Sequence, residues 1–295
     1  MLRPPLVSPG SELRKRWKED GCVLMPGVFN PISALAAAQA GASALYCSGA
    51  GVTNAGLGVP DIALITQSEM VDTASKICQV VSLPVLADAD TGYGESLNTF
   101  RAVIELERSG LAGIHLEDQV SPKRCGHLDG KALIPASSMV SKLKAAQEAR
   151  RDSNFVICAR TDARGVEGLE GAIERAKMYV DYGADAIFPE GLANVEEFEA
   201  FRKAVPGPLL ANMTEFGKTD IISFETFKNL GYQMVIYPMT AFRVMLAALA
   251  ETYETLLTKG TQESLLPKMK TRKELYETLQ YERYNQADAR WSGNE

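Results

Sequence analysis

The sequence predicts a closed (β/α)8 TIM barrel, an α/β fold in which eight parallel strands are ringed by helices. Three observations carry this. A unit recurs along the chain: a helical pattern, a glycine stop, then a short apolar run with a polar residue at its end. Eight apolar runs occur, near 22, 44, 84, 113, 155, 186, 208 and 234, with room for a helix after each. The runs are almost continuously apolar, as strands covered on both faces of a parallel sheet must be. An open doubly wound sheet fits less well. G-A-G-V-T-N at Gly49 lacks the third glycine of the dinucleotide fingerprint, and no G-x-x-x-x-G-K-[ST] loop occurs.

In chain order the runs are C-V-L-M-P-G-V at Cys22, G-A-S-A-L-Y at Gly41, P-V-L-A-D-A-D at Pro84 and G-L-A-G-I-H at Gly110. F-V-I-C-A-R-T-D at Phe155, G-A-D-A-I-F at Gly183, P-L-L-A-N-M at Pro208 and G-Y-Q-M-V-I-Y at Gly231 complete the set. At 41, 110, 183 and 231 a glycine ends the preceding helix, because it enters the left-handed region without a Cβ clash. The eighth helix is expected over Thr240 to Thr258. After it come Leu265, Leu266, Met269, Leu275, Tyr276, Leu279, Tyr281 and Tyr284, too many apolar side chains for a solvated tail. Two further helices, packed on the barrel or on a neighbouring subunit, would bury them. Residues 1–295 therefore read as one barrel domain, with the barrel over about 20–258 and a helical extension over about 259–295.

Composition narrows the function. Hydrophobic residues at 46% and charged residues at 23% exclude disordered, collagenous and coiled-coil chains. Thirty-one Lys and Arg against thirty-seven Asp and Glu leave a net charge of −6, the wrong sign for nucleic-acid binding by overall charge, so a small-molecule partner is expected. Cysteines at 22, 47, 78, 125 and 158 form no C-x-x-C pair, which argues against disulfides and structural zinc and for a reducing, cytoplasmic setting. The N-terminus has no apolar core behind a basic head, and Glu12, Glu19 and Asp20 among Arg14, Lys15, Arg16 and Lys18 argue against a mitochondrial presequence. The apolar stretch from Ile32 to Val52 reads as helix, turn and strand, so no membrane span is expected.

In such a barrel the chemistry gathers at the C-terminal strand ends. The polar residues there are Ser48 and Gly49, Asp88 and Asp90, Glu117 and Asp118, Arg160 and Asp162, Glu190, Asn212 and Thr214. Asp88 and Asp90, two apart, would point the same way on a strand and hold one hard cation, with Glu117 and Glu190 near. Oxygen ligands with open water positions suggest Mg2+ or Mn2+. The plainer reading is that these acids cap the next helices or pair with Arg160. With only His115 and His127 in the chain, a multi-histidine zinc or iron site is excluded, and His115 reads as a satisfied core residue. K-R-C-G-H, Lys123 to His127, places Cys125 beside two cations and an imidazole, which favour thiolate. This loop, with Gly126 and Gly130, is long for a strand-to-helix connection and suits a lid. The plainer reading is a basic surface loop with an incidental cysteine.

Together these residues resemble the isocitrate lyase and phosphoenolpyruvate mutase superfamily, and within it the methylisocitrate lyases. The likeness runs through S-G-A-G at Ser48, G-V-P-D at Gly58, D-A-D-T-G-Y-G at Asp88, L-E-D-Q-V-S-P-K-R-C-G-H at Leu116 and A-R-T-D at Ala159. It continues through F-P-E at Phe188, N-M-T-E-F-G at Asn212, Y-P-M-T-A-F-R at Tyr237 and T-R-K-E-L-Y at Thr271. The resemblance implies Mg2+ held largely through water by Asp88 and Asp90, with Asp61, Glu117 and Lys123 around it. It implies a substrate carboxylate on Ser48, Gly49 and Ala50, and the rest of the substrate on Arg160, Glu190, Asn212, Thr214, Arg243 and Arg272, with Gly126 of the cysteine loop beside it. It further implies a carbon–carbon lyase acting on a 2-hydroxy di- or tricarboxylate, with Cys125 as general acid, Lys123 and His127 beside it and Tyr46 as a candidate hydroxyl base. An eighth helix exchanged between subunits, in a tetramer built as a dimer of dimers, is implied as well.

The implied reaction splits 2-methylisocitrate into pyruvate and succinate. After K-R-C-G-H the methylisocitrate lyases continue R-P-N-K, whereas this chain reads L-D-G-K, Leu128 to Lys131, nearer to isocitrate lyases and 2,3-dimethylmalate lyase. Ala50 also replaces a glycine common in methylisocitrate lyases. Both changes touch substrate loops, so a dimethylmalate or related 2-hydroxy dicarboxylate lyase is the second reading. A catalytically silent barrel is the third, and the intact set of Asp88, Asp90, Cys125, His127 and Arg160 argues against it.

Overall fold

A computed structural model describes residues 8–124 and 130–293. Eight parallel strands run β1 (Val23–Val28), β2 (Leu45–Cys47), β3 (Val85–Asp88), β4 (Gly113–Glu117), β5 (Val156–Thr161), β6 (Ala186–Pro189), β7 (Leu210–Asn212) and β8 (Met234–Tyr237). Each pairs with its neighbour in sequence, β1 also pairs with β8, and a bridge between Ile187 and Leu209 brings β6 to β7 and completes the ring. All eight expected runs are strands. The glycines at 41, 110, 183 and 231 take φ of 92°, 97°, 91° and 83°, as their helix-ending role requires.

Two apolar layers hold the barrel. Inside the ring, Met25, Leu86, Val156, Phe188, Leu210 and Ile236 are buried; outside it a larger layer fills the space between sheet and helices. The inner layer is closed at the N-terminal end of the strands by the helix Pro9–Glu19, which inserts Leu13 and Trp17. Gly10 lets this helix sit on the backbone, since a Cβ there would lie 2.3 Å from the Asn154 carbonyl oxygen. Arg14 fixes it, donating from Nε to that carbonyl at 2.8 Å and pairing with Asp185 at 2.8 Å.

The eighth helix runs Thr240–Lys259, followed by a 3-10 turn and the helices Arg272–Thr278 and Tyr281–Ser292. The expectation of two further helices holds. Most of their apolar residues are not covered by the chain's own barrel, although Leu265 and Ala287 are buried and Phe242 and Met245 pack on the core: no residue of Thr240–Lys259 is buried, and Leu266, Leu275, Tyr276, Tyr281 and Tyr284 are exposed. Among the described residues no helix is long and apolar enough to cross a membrane.

Candidate active site

The strand ends bring most of the expected side chains to one rim. Ser48 follows β2 and caps the short helix Gly49–Val52, its Oγ accepting from the Gly51 N–H at 3.1 Å. Gly49 is required by contact, because a Cβ there would lie 2.4 Å from Asp88 Oδ2. The Ser48–Ala50 backbone thus lies directly against the Asp88 carboxylate.

Asp88 and Asp90 do meet, but not through strand alternation. β3 ends at Asp88, and Asp90 lies beyond it in the left-handed region at φ 47°. A tight turn brings them together, with the Asp90 N–H donating to Asp88 Oδ1 at 2.9 Å.

Lys123, only 3% exposed, enters this acidic cluster. Its Nζ lies 2.7 Å from Asp61 Oδ1 and 2.9 Å from Asp90 Oδ1. On the other side, Glu117 and Arg160 are register partners across β4 and β5. Arg160 Nε lies 3.3 Å from Glu117 Oε2, Nε and Nη2 grip Asp162 at 2.9 and 3.2 Å, and Nη1 lies 3.5 Å from Glu190 Oε2. Its guanidinium also stacks over Phe188 at 5.0 Å. Asn212 donates to Glu190 at 3.1 Å.

These environments set the protonation states. Burial pushes Asp90 up to about 6, with Lys123 opposing and Asp88 and Asp61 adding to the rise. Burial also raises Glu117 well above the carboxylate range, against the pull of Arg160 and Lys123. At Asp88 burial is overcome by His115, Lys123 and Arg160, and the net shift is downward. Burial draws His115 down to about 4, so the imidazole is neutral at pH 7. Its Nε2 lies 2.7 Å from the Tyr46 hydroxyl, while Nδ1 has no hydrogen-bond partner among the described residues, so it is a core residue satisfied there on one nitrogen. Burial and Asp88 hold the Tyr46 phenol protonated.

The donor set suits a hard, hydrated cation. Among the described residues neither Glu117 carboxylate oxygen has a hydrogen-bond donor, nor does Asn212 Oδ1, although these atoms are buried. Buried acceptors left without donors are costly unless a cation or water completes them. Among the described residues no three His, Cys, Asp or Glu side chains gather closely enough to ligate an ion directly. Few direct ligands and several waters is the arrangement Mg2+ accepts.

Several expected residues stand elsewhere. Cys125, Gly126 and His127 lie outside the described residues. The segments flanking them are at this same rim: Val120 N–H donates to the Ala132 carbonyl at 2.8 Å, and Lys131 Nζ reaches Asp162 Oδ1 at 2.8 Å. Thr214 is half-buried in the loop after β7. Arg243 is half-exposed at the start of the eighth helix, 3.4 Å from Glu215 and stacked on Phe216 at 5.3 Å. Arg272 is exposed at the head of its helix, which packs on Pro31–Gln39 and Tyr281–Ser292, away from the cluster.

Sequence reasoning missed Lys131 and Lys142. Lys142 had a legible signal, since it falls on the apolar stripe of Met139, Leu143 and Ala146 at helical spacing. The other cysteines behave as small hydrophobes, and burial raises Cys22 to about 11 and Cys78 to about 12.

The sequence profile of the family described as phosphoenolpyruvate phosphomutase matches residues 13–257. The chain belongs to this family. Among its relatives, a 2-methylisocitrate lyase of Aeropyrum pernix is 51% identical over 289 residues, 98% of this chain and 93% of that protein. The solved structure of a 2,3-dimethylmalate lyase, a PEP mutase/isocitrate lyase superfamily member, superposes with a TM-score of 0.91 at 36% identity, covering 97% of this chain and 96% of that one. A phosphonopyruvate hydrolase solved with oxalate and Mg2+ superposes with a TM-score of 0.87 at 28% identity, covering 97% and 99%. The rim of this phosphoenolpyruvate mutase family member is thus the place to look for its chemistry.

Proposed function

We propose that the protein is a Mg2+-dependent carbon–carbon lyase that splits 2-methylisocitrate into pyruvate and succinate. The observation that carries this is a buried carboxylate cluster at the strand ends, with Glu117 lacking a hydrogen-bond donor among the described residues, in a chain half identical to a 2-methylisocitrate lyase. Asp88 and Asp90, with Glu117, would hold the ion largely through water. When bound, Mg2+ supplies a Lewis acid for the C2 oxygen and the adjacent carboxylate.

The remaining work falls to the protein. The Ser48–Ala50 backbone and Arg160 bind and orient carboxylates, and Arg160, Asn212 and Thr214 place positive charge or donors where oxyanion charge develops. Glu190 aims Asn212. Removal of the C2 hydroxyl proton lets the C2–C3 electron pair leave on C3 as the C2–O bond becomes a carbonyl. Cys125 returns a proton to that carbon as general acid, a role that Gly126, His127 and Lys123 of the same K-R-C-G-H segment would support. Tyr46 can accept the hydroxyl proton only by passing its own to His115, its hydrogen-bond partner. Arg243 would bind the distal carboxylate.

The second reading is a lyase for dimethylmalate or a related 2-hydroxy dicarboxylate, giving pyruvate and a monocarboxylate. The L-D-G-K segment and the likeness to 2,3-dimethylmalate lyase favour it. Pyruvate release across a substrate panel separates them, since loss of a carboxylate served by a dedicated arginine changes kcat/KM by orders of magnitude. Turnover of 2-methylisocitrate above all others is expected. No pyruvate from it, with Mg2+ and a reductant present, removes the first reading.

Self-association, as a tetramer built from dimers, accounts for the uncovered apolar face of Thr240–Lys259, where Val244 is 66% and Leu257 is 87% exposed. Light scattering on the purified protein tests it, and a monomer at micromolar concentration would refute it. The free, buried thiols of Cys22, Cys47 and Cys158 suit a reducing cytoplasm.

A further inference from the structure

Among the described residues, the turn that follows β3 holds the densest run of left-handed backbone. Asp90, Gly92, Tyr93 and Gly94 take φ of 47°, 87°, 58° and 142°, and two of the four are not glycine. Such a run persists only where its surroundings over-determine it. From inside the ring, Asp88 Oδ1 accepts from the Asp90 N–H, the Asp90 carbonyl accepts from the Glu117 N–H at 3.0 Å, and the Ala89 carbonyl accepts from the Gly92 N–H at 2.9 Å. The Thr91 carbonyl, between these ties, is held from outside. Lys142, on the helix Ala136–Ala149, donates to it from Nζ at 2.9 Å.

This is an unusual use of a lysine. Lys142 is 3% exposed, and among the described residues no carboxylate lies within ion-pair distance of it. A buried ammonium bonded to one backbone carbonyl is an unfavourable arrangement that packing alone would not select. A methionine would fill the same space without the charge.

We propose that Lys142 is a positioning residue for the divalent cation. By fixing the Thr91 carbonyl from behind the sheet, it holds the left-handed turn and keeps the Asp90 carboxylate beside Asp88. The inference rests on the metal reading given above.

Mn2+ binding to the purified full-length protein tests it, read by the electron paramagnetic resonance signal of free Mn2+ with folding monitored by circular dichroism. D90N tests the metal reading itself and must abolish most binding; wild-type affinity in D90N would sink that reading and leave Lys142 nothing to position. With D90N impaired, K142M is expected to fold and to bind Mn2+ about 10- to 100-fold more weakly, the loss typical of residues that support metal ligands. K142R, which keeps a donor, is expected within a few-fold of wild type. Deleting a nearby positive charge would by itself tighten cation binding, so a weakened K142M reports geometry and not charge. Unchanged or tighter binding in folded K142M overturns the proposal. Should K142M not fold, K142Q, shorter and neutral, must show the same loss relative to K142R, and equal affinities overturn the proposal.

Discussion

At the N-terminal end of the strands, Leu13 and Trp17 seal an apolar layer, and the charged Arg14 is matched by Asp185 and a backbone carbonyl. At the C-terminal end the same ring carries Asp88, Asp90, Glu117, Lys123, Arg160 and Glu190, all buried, with left-handed backbone at Asp90 and, among the described residues, no hydrogen-bond donor to Glu117. At the first end the charge of Arg14 is met within the chain. At the second, Glu117 has no hydrogen-bond donor on either oxygen among the described residues, and that is what a ligand and a dication would relieve. Under the proposed function, stability and activity lie at opposite ends of one barrel, and substitutions at the two ends should separate them.

The largest effect is expected at the reacting end. Cys125→Ser should reduce kcat by about a thousandfold or more while Mn2+ and pyruvate still bind; substantial residual cleavage would take the thiol out of the acid role. Trp17→Ala, at the opposite end, should lower unfolding free energy by about 3–5 kcal/mol in urea titrations. Its kcat/KM per folded molecule should stay within about twofold of wild type, and a selective loss of activity would break the division between the two ends.

A third effect follows from His115. Burial holds its pKa near 4, below the value of about 6.5 for an exposed imidazole. Between those values the unfolded chain binds a proton that the folded one refuses, so stability falls as pH drops from 6.5 towards 4, by on the order of 1 kcal/mol per pH unit. Asp90, raised to about 6, acts in the opposite direction across part of this window. The difference between wild type and His115→Asn isolates the histidine: the variant should lose less stability on acidification, and parallel curves would contradict the neutral assignment. The smallest effect is expected for Glu117→Gln. Removing a buried carboxylate whose charged form burial disfavours should raise metal-free stability by about 1 kcal/mol while weakening Mn2+ binding. A loss of stability would show that Arg160 compensates Glu117 fully.

The barrel was legible because its signals are local. Helix-ending glycines, continuous apolar runs and the polar residue after each run follow from backbone sterics and burial, so eight strands could be counted without knowing their partners. The N-terminal seal was not read. Leu13 and Trp17 are only two apolar residues, four apart, among Arg14, Lys15, Arg16 and Lys18, and nothing local shows that they enter a ring closed far along the chain. At the site, the residue types at strand ends were readable, whereas the turn joining Asp88 to Asp90 depends on a φ of 47° at a non-glycine residue. Lys131 escaped because a lysine is ordinarily solvated and only tertiary packing buries it against Asp162, whereas the place of Lys142 on an apolar helical stripe was a signal that its own polarity masked.

The account depends on a dication held at the acidic end of the ring beside bound oxo acid. Crystals grown with Mn2+ and pyruvate would locate the ion directly by its anomalous scattering. One strong peak is expected within direct or single-water reach of Asp88, Asp90 and Glu117, with pyruvate between it and Arg160. A peak elsewhere, or pyruvate bound at this rim with no metal beside it at saturating Mn2+, would contradict the account.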